Sequence, residues 1–183
     1  MIDSHAFRQT MGLLATGVTI IAAQDGDETR AMTANAVASL SLDPMLALAC
    51  IGKQAKMAGF LEKAAGFSIN ILRDEQQALS SYFAGAWKEP APPFRFVPWT
   101  GGPRVEGCLA AIGCEVHEFV EGGDHWIVIG RVLALHQGIE PRRPLVFYAR
   151  QYWRIDVADS QPAPNLGWVE TPTHVFYDPW QSE

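Results

Sequence analysis

Two long apolar runs, residues 109–119 and 126–135, stand on either side of Glu121-Gly122-Gly123-Asp124, and this arrangement limits the possible folds more than any other feature. Strand-forming runs joined by so short a glycine-rich link read as an antiparallel hairpin. The same logic joins a strand over 17–23 to a second one through the turn Asp25-Gly26-Asp27. Further strands are expected over 46–51, 67–72 and 145–148, with Tyr152-Trp153-Arg154-Ile155 following. Strands that succeed one another as hairpins, without helices between them, favour a mainly β antiparallel barrel with peripheral helices over a doubly wound sheet.

The helices are expected at the periphery. Ser4 is placed to cap one in which Phe7, Met11 and Leu14 recur at helical spacing for packing. Met57, Phe60 and Leu61 mark a second, stopped by Gly66, and Asp74 is expected to cap a third carrying Leu79, Tyr82 and Phe83. Residues 85–107 hold Pro90, Pro92, Pro93, Pro98 and Pro103, which predicts a long surface connection of the sort found over a site. After Asp156 the composition changes. Pro162, Pro164, Pro172 and Pro179 interrupt regular structure while Trp168, Phe176, Tyr177 and Trp180 keep the segment apolar. The expectation is one domain over residues 1–155 and a tail over 156–183 that packs on it or on a dimer partner.

Composition narrows the function. With 183 residues, 48% of them hydrophobic and 19% charged, the chain suits one domain with a sizeable core. A net charge of −6 with no basic stripe argues against nucleic acid as a partner. Cys50, Cys108 and Cys114 form no CxxC pair and are odd in number, so each reads as a small buried hydrophobe in a reducing compartment. Met1-Ile2-Asp3-Ser4-His5 lacks the features of a signal peptide, and no apolar run is long enough to span a bilayer. A soluble, cytoplasmic protein without membrane contact is the expectation. The chain carries no GxGxxG, P-loop, HExxH or GxSxG, and its five histidines are isolated, so no metal site is expected.

One stretch invites a ligand. Met32-Thr33-Ala34-Asn35-Ala36-Val37-Ala38-Ser39-Leu40-Ser41-Leu42-Asp43-Pro44 sets short polar side chains in strand-forming sequence with almost no charge. As one extended strand it would send Thr33, Asn35, Ser39 and Ser41 to a single face, where their hydroxyls and amide leave room for a flat polar ligand. A sheet-to-loop transition with local Ser and Asn turns is the alternative. His125 stands apart from the other histidines because it adjoins the Gly122-Gly123 turn, where backbone can approach a ligand closely. Lys53 and Lys56 flank a strand end and could meet a phosphate or simply face solvent.

Taken in order, Thr16-Gly17-Val18-Thr19, Met32-Thr33-Ala34-Asn35-Ala36, Ser39-Leu40-Ser41-Leu42-Asp43-Pro44, Phe67-Ser68-Ile69-Asn70-Ile71-Leu72, Phe83-Ala84, Gly102-Pro103, Gly123-Asp124-His125 and Pro144-Leu145-Val146-Phe147-Tyr148 resemble the short-chain flavin reductase family. The family comprises reductase components of two-component flavin monooxygenases. The resemblance implies an FMN-binding split β-barrel, a homodimer, and reduction of FMN or FAD by NADH or NADPH for a separate flavin-dependent oxygenase component. It also implies positions. Thr33, Ala34, Asn35 and Ala36 correspond to the segment lining the flavin ring, and Ser39, Leu40 and Ser41 to adjacent contacts. Ile51, Gly52, Lys53 and Ala55 fall where the ribityl phosphate is received, and Phe83 and Ala84 where a helix end meets the cofactor. His125 corresponds to the catalytic position facing the nicotinamide, with Tyr148 and Tyr152 near it. Ala36 replaces a common serine, and Ala55 and Met57 replace common hydroxyl residues, so phosphate contacts would rest on backbone N–H groups and on Lys53 or Lys56. Two other functions stay open: a flavoprotein that keeps its flavin and acts directly on another substrate, and a non-enzymatic flavin-binding subunit of an oxygenase.

Overall fold

The order of the strands follows from where two consecutive ones end up. In the computed structural model, which describes residues 2–139 and 143–155, β1 is Thr16–Gly17, β2 Thr19–Asp25, β3 Glu28–Ala34, β4 Val37–Leu42 and β5 Met45–Gly52. They are followed by β6 at Gly66–Ile71, β7 at Phe96–Val97, β8 at Arg104–Val105, β9 at Ala110–Gly122 and β10 at His125–Gln137. The last two strands are β11, Leu145–Tyr148, and β12, Gln151–Arg154. Seven of them form an antiparallel sheet in the order β3-β2-β6-β9-β10-β5-β4, which puts β3 and β4 at opposite edges. Only Asn35 and Ala36 join those two edges. Two residues span no more than about 11 Å, whereas seven flat strands would hold their edges roughly 29 Å apart. The sheet must therefore curl until its edges meet. Because no ladder joins them, the barrel stays split, as the resemblance implies.

The long β9–β10 hairpin is the spine of this curl. Its strands extend past the runs seen in the sequence, and the turn shrinks to Gly123 and Asp124, with Gly123 at φ 68°. The lower half of β9 pairs with β6 and the early half of β10 pairs with β5, so each half of the hairpin carries a different half of the barrel.

Strand β2 shows how one run of sequence can serve two cores. Its residues from Thr19 to Ala23 are all buried. Ile21 and Ala23 point into a cluster with Ala49, Ile51, Phe67 and Val128, while Ile20 and Ala22 point into a second with Leu72, Leu79, Val105 and Leu145. Burial on both faces is why this strand reads as a continuous apolar run without alternation. Helix α2, Lys56–Leu61, closes the first core with Met57, Phe60 and Leu61. Helix α3, Gln77–Phe83, covers part of the second with Leu79.

Several local expectations change. Asp3, not Ser4, caps the first helix α1, Ser4–Met11, by accepting from the Ala6 N–H at 2.8 Å. That helix buries none of its residues, and Phe7, Met11 and Leu14 remain exposed, so within this chain it is not a packing element. Gly66 opens β6 and does not stop α2, which ends at Leu61. Asp74 does not cap α3; it begins a 3-10 turn, Asp74–Gln76, whose N-cap is Arg73. The expected strand over 17–23 is two strands divided at Val18, whose N–H donates to Leu145 and whose carbonyl accepts from Leu72.

The proline-rich connection is no free cover. The residues between its β7 and β8 strands dock backbone to backbone on β6 and β9, so close that a Cβ at Gly113 would stand 2.0 Å from the Thr100 carbonyl oxygen. Ser68 and Asn70, both fully buried on β6, bolt it down. Ser68 Oγ donates to the Pro103 carbonyl at 2.6 Å, Asn70 Oδ1 accepts from the Val105 N–H at 2.8 Å, and Asn70 Nδ2 donates to the Ile20 carbonyl at 3.0 Å. The expected roles of Trp168, Phe176, Tyr177 and Trp180 fall on residues 156–183, outside those the structure describes. No helix among the described residues is long and apolar enough to cross a membrane.

Candidate functional site

The split in the barrel opens a groove of ≈ 360 Å³, lined by Thr16, Thr19, Asn35, Val37, Ala38 and Ser39 together with Ile69, Ile71 and Ile112. A mostly apolar lining with the small polar side chains of Thr16, Asn35 and Ser39 suits a flat ring with polar edges. Sequence reasoning named Asn35 and Ser39 but passed over Thr16, Thr19 and the three isoleucines. The signal for Thr16 and Thr19 was present in Thr16-Gly17-Val18-Thr19, which the motif match contained without assigning a contact.

The single-strand reading of residues 32–44 does not survive. Asn35 and Ala36 interrupt the extended run and carry the chain from β3 at one sheet edge to β4 at the other, and Leu40 is an extra residue in a bulge, since Ser39 pairs with Ala47 while Ser41 pairs with Leu46. The shared parity of Thr33, Asn35, Ser39 and Ser41 is lost at both points. Asn35 and Ser39 reach the groove. Thr33 instead donates its hydroxyl to the Ser80 carbonyl at 2.6 Å, the same oxygen that accepts the Ala84 N–H at 2.9 Å. Ala34 is buried, with its carbonyl taken by Thr19 Oγ1 at 2.7 Å, and the Ala36 carbonyl accepts from the Cys50 N–H. Leu40 is exposed and Ser41 half-buried.

A second group gathers at the far end of β5. Gly52 pairs with His125, which pairs on its other side with Gly122. Glycine on both sides leaves the imidazole in a gap, and a Cβ at Gly52 would lie 3.7 Å from His125 Nε2. His125 Nδ1 lies 2.7 Å from Asp124 Oδ1, and this hydrogen bond holds the Asp124 carboxyl below its ordinary range. Neighbouring Lys53 donates its backbone N–H to the Asp124 carbonyl. Its ammonium pairs with Glu121 and lies 4.8 Å above the Trp126 ring. Hydrogen bonding to Lys53 also keeps the Glu121 carboxyl below the usual range. Because Trp126 and His125 alternate along β10, Lys53 and His125 occupy opposite faces of one rim.

The other expected residues divide between these places and the packing. The Ile51 side chain is fully buried in the core, and Ala55 precedes α2 with its N–H on the Gly52 carbonyl. Phe83 joins Tyr82, Phe94 and Phe96 in a ring cluster, and Ala84 is the exposed residue that ends α3. Tyr152 OH lies 2.9 Å from Ser80 Oγ. Tyr148 is more exposed and meets the edge of Trp153.

Residues 11–156 match the family model described as the flavin reductase like domain. This chain belongs to that family. Within it, the chain is 41% identical over 151 residues to the reductase component of 4-hydroxyphenylacetate 3-monooxygenase from Thermus thermophilus, an alignment covering 82% of this chain and 96% of the relative. Among solved flavin reductases, PheA2 in its native state superposes with a TM-score of 0.79 at 37% identity, covering 84% of this chain and 99% of that one. The NADH:FAD oxidoreductase SgcE6 from Streptomyces globisporus, solved with NAD and FAD fragments, superposes with a TM-score of 0.75 at 30% identity over 90% of this chain and 95% of its own.

Proposed function

We propose that this flavin reductase family member catalyses NADH-dependent reduction of FMN or FAD and releases the reduced flavin to a separate oxygenase component. The observation that carries the reading is the groove at the barrel split, polar at Thr16, Asn35 and Ser39 and otherwise largely apolar, which fits the polar edge and flat body of a flavin ring. A nicotinamide and a flavin held together supply the redox chemistry themselves.

The chain's own task is placement. Asn35, steadied by its Nδ2 bond to Thr16 Oγ1 at 3.1 Å, and Ser39 orient the ring edge, while Ile69, Ile71 and Ile112 keep water from beneath it. The Asp124 bond fixes one nitrogen of His125 and leaves Nε2 beside the bare backbone of Gly52, where a second ring can approach. Lys53 on the opposite face of the rim meets the phosphate. That division of labour needs no strong acid–base pair, and positioning alone removes a large part of the barrier.

Two copies of the chain form the working unit in this reading, which gives the exposed Phe7 and Met11 of α1, and Leu14 just after it, an apolar surface to meet. Free cysteines, two of them buried, accord with a reducing cytoplasm. Purified protein assayed for bound flavin and for NADH consumption tests the function. Saturable turnover with added free FMN or FAD supports it. A stoichiometric bound chromophore that leaves free flavin unreduced would favour direct action on another substrate, and binding without turnover would favour an accessory subunit.

A further inference from the structure

Lys53 follows the end of β5 at the rim, and its ammonium already has two neighbours. Its ammonium pairs with Glu121 and sits 4.8 Å over the Trp126 ring. The row is set by the ladder: Glu121 lies directly opposite Trp126, and Trp126 opposite Ile51, two residues before Lys53. Directly opposed residues share a face, so the carboxylate and the indole approach the lysine from the same side of the sheet. The Lys53 backbone N–H is spent on the Asp124 carbonyl, which leaves the ammonium as this residue's donor for an anion. Glu121 has little else to hold it, with 71% of its side chain exposed against 26% for Lys53.

We propose that Glu121 sets the affinity for phosphorylated flavins by occupying the Lys53 ammonium that the flavin phosphate would otherwise meet. The inference rests on the flavin reductase reading above and extends it. A phosphate entering the site must displace the carboxylate and then sits beside it, so binding is weakened by the lost pair and by like-charge repulsion. Trp126 keeps the ammonium in position while the partners exchange, because a cation over an indole face is held without a counter-ion. Glu121 is ionised at neutral pH, since its carboxyl is held below the ordinary range by Lys53. The consequence is a flavin that leaves after reduction, as a donor to a second protein requires.

Fluorescence titration of FMN and of riboflavin, which lacks the phosphate, tests this at one fixed low ionic strength. Glu121→Gln keeps the size of the side chain and removes its charge. It should tighten FMN about two- to fivefold, the range set by a surface ion pair, and leave riboflavin unchanged. Lys53→Gln should lower FMN affinity toward that of riboflavin, and adding Glu121→Gln to it should restore nothing. Unchanged FMN affinity in Glu121→Gln, or equal tightening of both ligands, overturns the proposal. Failure of the unmodified protein to bind either ligand overturns the flavin reading itself, which is a separable result.

Discussion

Gly52 and His125 face each other across the β5–β10 ladder, and a Cβ on Gly52 would stand 3.7 Å from His125 Nε2. The imidazole therefore borders open space on the side where a side chain would otherwise lie. His125→Ala should raise the KM for NADH, or slow flavin reduction, by more than it weakens flavin binding. Stopped-flow reduction of bound flavin measures the first and fluorescence titration the second. Normal reduction by NADH in the variant would remove His125 from the nicotinamide side.

Asn35 lies in the two-residue link that joins the edges of the split barrel, with its amide exposed to the groove. Asn35→Leu should cost about 1 to 3 kcal/mol of flavin binding if it leaves a polar ring atom unpaired. The affinity should fall at least several-fold while the melting temperature stays close to the original. Unchanged affinity would show that the ring edge is held elsewhere.

Asn70 carries the opposite expectation. Fully buried, it bonds the Ile20 carbonyl, Ser68 Oγ and the Val105 N–H. Asn70→Leu would leave the buried Val105 N–H without its acceptor and should lower stability by about 1 to 3 kcal/mol, read by urea unfolding. Loss of this anchor should also expose residues 85–105 to protease before the barrel unfolds.

These two asparagines show what the sequence could and could not disclose. Hairpin pairing, the antiparallel class and the apolar runs were legible because alternation and turn chemistry are local. Which face a polar residue serves is not local. Asn35 and Asn70 both sit in strand-like sequence, and only the docking of residues 96–105 on β6 makes one of them a structural bolt. Thr33 and Ser41 left the expected row for a similar reason, since a link of two residues and a one-residue bulge are invisible to a parity count. The exposed face of α1 shows that helical periodicity reports that a face is apolar, not whether this chain or a partner covers it.

The thiols give a prediction in pH. Burial pushes the Cys114 thiol up to about 12 from its ordinary 9.0, and raises that of Cys108 as well. Between those two values the unfolded chain gives up the Cys114 proton and the folded chain keeps it. Stability should consequently be constant below about pH 9 on this account and fall as pH rises toward 12. In the native protein a thiol-directed reagent should modify half-buried Cys50 first, with Cys108 and Cys114 reacting only on unfolding. Rapid native modification of Cys114, followed by peptide mapping, would contradict the burial.

The central claim is that this chain passes electrons from NADH to a flavin that comes and goes. Anaerobic mixing of the protein with NADH and an excess of free FMN or FAD tests it most directly, through loss of the oxidised-flavin absorbance. The account predicts that each molecule of protein reduces many molecules of flavin, with a rate that saturates in both NADH and flavin. Reduction that halts after one flavin per chain, or that proceeds no faster than in the absence of protein, would contradict it.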